Sequence, residues 1–155
     1  MLKFILVLTI SFSSFASSDI SDSRIAFEKY MAYQSSSNPK LVNDFISKRA
    51  TDETYDVIAT GTPEQIEILK IPMEKRFQKM KFTQEFALED SSCLFYEVTF
   101  LKDDNFMVSG KSMEIFFKMV IENKKWKYDG YFINLTIKSN LEYCKQELQS
   151  ENKGD

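Results

Sequence analysis

The chain has 155 residues, among them no histidine, only four glycines and only two cysteines. Without histidine, neither a Ser-His-Asp nor a Cys-His catalytic arrangement can be built, and the commonest transition-metal ligand is missing. Two cysteines far apart in the sequence do not form a zinc site, and so few glycines cannot build a phosphate-binding loop. We therefore predict that the protein holds no metal and no cofactor, which leaves only carboxylates and tyrosines for chemistry.

Strong charge of either sign is also missing. A formal net charge of −3 gives no general attraction to nucleic acid or to an anionic membrane. Acidic residues cluster at Asp52, Glu53 and Asp56, but they lack the alternating spacing and the central glycine of a calcium loop. We interpret them as solvated residues of a helix N-terminus just after Thr51.

Basic residues recur around the end of a predicted helix, at Lys70, Lys75, Arg76, Lys79 and Lys81. A charged outer helix face explains them, and a site for an acidic partner or substrate is the alternative.

The first residues have the pattern of an export signal. Lys3 precedes an apolar run from Phe4 to Ile10, and small residues at Ser14 and Ala16 provide a cleavage site. The run is too short for a membrane anchor, which needs roughly 20 apolar residues. We predict cleavage near Ala16, a mature chain without a membrane span, and a periplasmic or secreted location. The short, lysine-led signal favours a bacterial periplasm.

The remaining length predicts one domain over residues 17–149, followed by a polar, disordered tail at 150–155. In an exported protein, an even number of cysteines suggests that Cys93 and Cys144 form a disulfide, with two unpaired buried thiols as the alternative. Asn134 begins a glycosylation sequon that has meaning only in a eukaryotic secretory route.

The first half of the predicted domain has helical spacing. Phe27, Tyr30 and Met31 predict a helix from Ser23 to about Gln34. A second helix is predicted to start at Asn38-Pro39, with its apolar face at Leu41, Val42, Phe45 and Ile46.

A capping box at Thr62-Pro63-Glu64-Gln65 predicts the start of a third helix. Its apolar stripe comprises Ile66, Leu69, Met73, Phe77 and Met80. Because proline lacks a backbone donor, Pro72 is expected to kink or interrupt this helix.

From Lys81 onward the period changes to two, which predicts antiparallel strands. The first strand is marked by Phe82, Phe86 and Leu88, and the second by Leu94, Tyr96, Val98 and Phe100. After a turn at 102–105, a long strand has Met113, Ile115, Phe117, Met119 and Ile121 on one face. A hairpin at 122–125 leads into a strand from Trp126 to Ile137 with a bulge or bend at Gly130. Ser139 and Glu142 are expected to cap a last helix that contains Cys144.

Helices followed by antiparallel strands predict an α+β fold, with N-terminal helices packed on a curved antiparallel sheet. The helical half, the long bent strands and the closing segment 125–131 resemble the nuclear-transport-factor-2-like (SnoaL/ketosteroid-isomerase-like) cone over roughly residues 20–137, with a cystatin-like relative as an alternative. The resemblance implies a ligand between sheet and helices, and in some members an acidic base and a tyrosine. Tyr30, Tyr96 and Asp129 are candidate ligand-binding residues. The simpler alternative makes Tyr96 a core tyrosine and Asp129 a solvent-facing or turn carboxylate.

We predict an exported, non-catalytic binding protein whose partner is a protein or a small hydrophobic ligand. The basis is an aromatic-rich chain, with 14 phenylalanines in its 155 residues, that lacks catalytic residues. An immunity or inhibitor protein against a secreted toxin or hydrolase is a more specific form of this prediction, and a homodimer is an open alternative. A small-molecule isomerase or lyase is the competing function.

Overall fold

The computed structural model describes residues 20–34, 42–100, 112–133 and 139–151. The elements in these ranges are α1 (Asp22–Gln34), α2 (Lys48–Thr60), α3 (Pro63–Lys70), α4 (Met73–Arg76), β1 (Phe77–Ala87), β2 (Ser91–Phe100), β3 (Ser112–Glu122), β4 (Lys125–Phe132) and α5 (Asn140–Glu151). The strands form one antiparallel sheet in the order β1-β2-β3-β4. The predicted α+β architecture, helices followed by a curved antiparallel sheet, is confirmed.

Several predicted features lie outside the described residues. They are the export signal at 1–16, the helix start at Asn38-Pro39, the turn at 102–105, the sequon at Asn134 and residues 152–155 of the predicted tail. The first two residues of that tail, which was predicted at 150–155, are the last two residues of α5.

The first two described helices begin close to where the sequence places them. α1 matches its prediction and buries Phe27 and Tyr30. α2 begins at Lys48, ahead of the predicted start after Thr51, because the Ser47 side chain accepts a hydrogen bond from the Ala50 amide, 3.0 Å away.

The predicted capping box is present, but the helix after it is shorter than predicted. The Thr62 amide donates to Gln65 Oε1 over 2.8 Å, and the Gln65 amide donates to Thr62 Oγ1 over 3.4 Å. α3 then ends before Pro72, as expected, and only the single turn α4 follows.

The assignment of Phe77 and Met80 to the third helix is therefore wrong. Both residues lie in β1, which begins before the predicted Lys81, and Phe77 pairs with Phe100. After the interruption at Pro72 the backbone returns to the extended region at Phe77, whose ring packs against that of Phe100 at a centroid distance of 5.1 Å.

The sheet has a different core on each face. Ile115, Phe117 and Met119 alternate on the face that α1 covers, as predicted. Ile121 was expected to join them, but it is 39% exposed, close to the hairpin. Phe116 lies on the opposite face, against α5.

A predicted disulfide holds α5 on that opposite face, and a predicted cap marks the start of this helix. Cys93 of β2 and Cys144 of α5 form a disulfide, and both residues are fully buried. The Glu142 amide donates to Ser139 Oγ at the start of the helix, over 3.2 Å. Among the helices of the described ranges, none has both the length and the hydropathy that a transmembrane span needs.

Candidate functional site

A cleft of about 520 Å³ lies between β4 and the helical half of the chain. Its aromatic lining consists of Tyr30, Tyr55, Tyr128, Tyr131 and Phe132. Its aliphatic lining includes Val42, Ile46, Leu69 and Met73. The cleft therefore has a mainly apolar wall with which a flat molecule could make extensive contact.

The wall on the β4 side depends on a short backbone bridge. The Ser47 amide donates to the Tyr128 carbonyl over 2.8 Å, and the Tyr128 amide donates to the Phe45 carbonyl over 2.7 Å. Ile46 thus forms a parallel bridge with Tyr128 along the edge of β4. Because α2 starts directly after this bridge, its first turns are held beside the strand and form one side of the cleft.

Two stacked, buried tyrosines are part of the cleft lining. The rings of Tyr30 and Tyr128 lie 4.3 Å apart at 15°, and the residues are 3% and 6% exposed. The Tyr30 hydroxyl accepts from Gln34 Nε2 over 2.6 Å, and Gln34 Oε1 accepts from the Met73 amide over 2.8 Å. Gln34 therefore ties the end of α1 to the start of α4.

Burial raises the pKa of the Tyr30 hydroxyl, and the nearby charge of Arg76 opposes this shift. Burial likewise raises the pKa of Tyr128 well above its ordinary value, with smaller contributions from Tyr30 and Tyr131. Both hydroxyls are protonated at neutral pH, and in that form each carries one hydrogen-bond donor. Arg76 also lines the cleft, and its Nε donates to the Ile71 carbonyl over 2.9 Å.

Asp129 lies in a buried ionic cluster, so its interpretation as a solvent-facing or turn carboxylate is wrong. The residue is 2% exposed. Its Oδ1 accepts from the Ser47 hydroxyl, and its Oδ2 lies 2.9 Å from Arg49 Nε and 3.3 Å from Lys118 Nζ. Asp129 contacts residues around the cleft, but its own side chain is not part of the cleft lining.

The predicted bulge at Gly130 explains why Asp129 can turn inward. The β3–β4 register shifts here, with Lys118 opposite Gly130 and Met119 opposite Tyr128, so that Asp129 is the extra residue. Gly130 has φ +138°, and a Cβ atom at this position would lie 3.2 Å from Arg49 Nη2. Glycine is therefore needed both for the backbone conformation and for the close approach of Arg49.

Tyr96 lies in the core and does not line the cleft. Its ring contacts those of Phe27, Phe82 and Phe117 at centroid distances of 5.4 to 5.5 Å. Burial raises its pKa to about 12. Of the three candidate residues, the structure places Tyr30 in the cleft, Asp129 behind the cleft wall and Tyr96 away from it.

Most cleft residues were not among the candidate ligand-binding residues. Those with polar or aromatic side chains include Arg49, Arg76, Tyr128 and Tyr131. The two tyrosines were predictable from the strand pattern. Trp126 and Tyr128 alternate along β4, and Tyr131 continues this alternation if one residue between them is counted as the extra residue of a bulge. Arg76 had a weak signal, because it belongs to the basic residues for which an acidic partner or substrate is the alternative interpretation. Arg49 had none, since it resembles an ordinary charged residue on a helix surface.

The chain matches no protein-family model and no curated protein. Among solved structures, it is similar to AclR, a proposed hydroxylase from Streptomyces galilaeus, with 11% identity and a TM-score of 0.41 over 84% of this chain and 94% of AclR. It is also similar to a protein of unknown function from Bacteroides thetaiotaomicron, with 13% identity and a TM-score of 0.33 over 72% of this chain and 85% of that one. At these values neither structure informs the function of this chain.

Proposed function

We propose that this chain is an exported, non-catalytic binding protein that holds a small, largely aromatic or apolar molecule in the cleft beside β4. The observation that carries the proposal is the cleft itself: its volume of about 520 Å³ falls in the range of small-molecule sites, and its lining is rich in aromatic side chains. Its position between sheet and helices is also the one that the resemblance to the nuclear-transport-factor-2-like cone implies.

The position of the carboxylates favours binding over catalysis. A general base must come within hydrogen-bond reach of the proton it removes. Asp129 is buried behind the wall and already contacts Ser47, Arg49 and Lys118. Glu53 is the carboxylate among the described lining residues, and it is paired with Arg49. An isomerase or lyase would need one of them to reach the substrate instead.

Export is the second part of the proposal. A disulfide between Cys93 and Cys144 supports it, because structural disulfides persist in oxidising compartments and are rare in the cytosol. Cleavage near Ala16 would leave residues 17–149 as the binding domain. The described residues contain no feature that favours a toxin or hydrolase as partner, so the proposal does not extend to an immunity or inhibitor role.

The proposal can be tested with the neutral fluorescent probe N-phenyl-1-naphthylamine. We expect saturable fluorescence enhancement with the native protein. Thr54 lines the cleft from α2, so Thr54→Trp should fill part of it and weaken binding by about tenfold or more.

Asp52→Trp is the matched control, because Asp52 lies on the same helix, is exposed and does not line the cleft. Circular dichroism and chemical denaturation should show that both variants are folded. Absence of saturable binding, or equal binding by the two variants, would contradict a ligand site in the cleft.

A further inference from the structure

We infer that Gln34 determines which ligands this cleft accepts: it fixes the Tyr30 hydroxyl as a hydrogen-bond donor, so that the ligand presents an acceptor oxygen, such as a carbonyl, to Tyr30. This inference rests on the proposed binding function and adds a positioning residue and the chemical class of the ligand.

A backbone amide fixes the orientation of the Gln34 side chain. Met73 is buried and begins the single turn α4, where its amide has no acceptor within the helix. That amide donates to Gln34 Oε1 over 2.8 Å. Because a backbone N–H can only donate, the side-chain oxygen of Gln34 must face Met73 and its amino group must face the other way.

The orientation of Gln34 in turn fixes the direction of the hydrogen bond at Tyr30. Gln34 Nε2 donates to the Tyr30 hydroxyl over 2.6 Å. An amide nitrogen cannot accept, so the hydroxyl is the acceptor in this contact and its own hydrogen points elsewhere. Among the residues that the structure describes, none accepts that hydrogen. The Tyr30 hydroxyl is therefore a donor whose hydrogen is not used within the described part of the fold.

This donor belongs to the wall of the cleft. Tyr30 and Gln34 both line it, and the Tyr30 ring is held by its stack on Tyr128 at a centroid distance of 4.3 Å. A polar group that is covered without a partner costs free energy. An acceptor oxygen at this position avoids that cost, whereas a hydrocarbon group leaves the donor unpaired and an N–H group opposes it.

The test compares 2-acetylnaphthalene with 2-isopropenylnaphthalene, in which a CH₂ group replaces the carbonyl oxygen. Their dissociation constants are measured by displacement of N-phenyl-1-naphthylamine at about pH 8. Tyr30→Phe removes the donor and should weaken the ketone relative to the alkene by about fivefold or more, because the carbonyl oxygen is then buried without a partner. On the native protein, the infrared carbonyl band of the bound ketone should lie at lower frequency than in hexane, which detects the hydrogen bond without any substitution.

Gln34→Glu tests the positioning role while Tyr30 stays in place. A carboxylate has nearly the same shape and can accept from the Met73 amide, but it can only accept from Tyr30 as well. The Tyr30 hydrogen would then turn toward the carboxylate and be lost to the ligand. We expect this variant to weaken the ketone relative to the alkene about as much as Tyr30→Phe does. A merely structural role of Gln34 would weaken both probes equally.

Two substitutions on α1 serve as matched controls. Tyr33→Phe removes a phenolic hydroxyl from a residue that does not line the cleft, and Ala32→Glu adds a negative charge at an exposed position outside the lining. Neither should change the ratio of the two dissociation constants. Circular dichroism checks that each variant is folded.

The outcomes separate this inference from the proposed function. An unchanged ratio in folded Tyr30→Phe, a carbonyl band at its position in hexane, or no displacement by either probe would overturn the acceptor contact, while saturable binding of N-phenyl-1-naphthylamine would keep the cleft as a binding site. An unchanged ratio in folded Gln34→Glu would overturn the role of Gln34. Absence of saturable N-phenyl-1-naphthylamine binding would overturn the binding function, and this inference with it.

Discussion

Replacement of Asp129 by asparagine tests whether the buried ionic cluster stabilises the fold. The substitution preserves side-chain shape but removes the negative charge. The Lys118 side chain is only 1% exposed, and its ammonium lies 3.3 Å from Asp129 Oδ2. Breaking a buried pair by removing one partner leaves the other charge uncompensated and costs about 3–5 kcal/mol. We expect Asp129→Asn to lower the free energy of unfolding by about this amount.

Two further variants make the measurement specific. Glu53→Gln removes a carboxylate that also pairs with Arg49, but Glu53 is 61% exposed, so the loss should stay below about 1 kcal/mol. Lys118→Met in the Asp129→Asn background removes the buried ammonium that has lost the Asp129 carboxylate, and it should recover part of the stability. Urea denaturation gives the change in the free energy of unfolding of each variant from the shift of its midpoint, because the slope against urea concentration should stay constant. A cost below about 1 kcal/mol for Asp129→Asn, or no recovery in the double variant, would refute this account of the cluster.

Three other perturbations probe the remaining structure. Replacing Cys93 and Cys144 by serine opens a loop of 51 residues and should lower the free energy of unfolding by about 4 kcal/mol, with peptide mapping under non-reducing conditions to verify the native bridge. Phe117→Ala should cost about 3–5 kcal/mol in denaturation, whereas Ile121→Ala on the same strand, which is 39% exposed, should cost much less; similar losses would contradict the assigned sheet faces. Burial raises the pKa of Tyr96 from 10.0 to about 12, so the folded state retains that proton longer than the unfolded state and stability should fall as pH rises through this interval. Tyr96→Phe should reduce the slope of stability against pH there, and an unchanged slope would contradict the assignment.

The fold was predictable where local chemistry and periodicity agree. The capping box at Thr62 marks a helix start that depends on two reciprocal hydrogen bonds, and the alternation after Met113 marks a strand with two different faces. The helix boundary near Pro72 was harder. Phe77 continues the helical spacing of Met73, and only its pairing with Phe100, distant in sequence, places it in a strand.

The candidate site was predictable only in part, because it depends on contacts between distant segments. Tyr30 follows from its position on α1, but its stacking on Tyr128 requires knowledge of how α1 crosses the sheet. Asp129 beside a glycine has the sequence pattern of a turn. Its burial follows from the bulge and from cations supplied by α2 and β3, which no local pattern encodes.

The backbone bridge between Ile46 and Tyr128 also bears on how copies of this protein meet one another. Sheets can grow into aggregates when an edge strand presents unpaired amides and carbonyls to a second chain. On the β4 side, residues 45–47 already occupy that edge. On the opposite side, β1 carries two register irregularities and the exposed lysines Lys79 and Lys81, features that discourage strand addition. Both edges of the described sheet therefore carry features that disfavour pairing with a strand from a second copy of this protein.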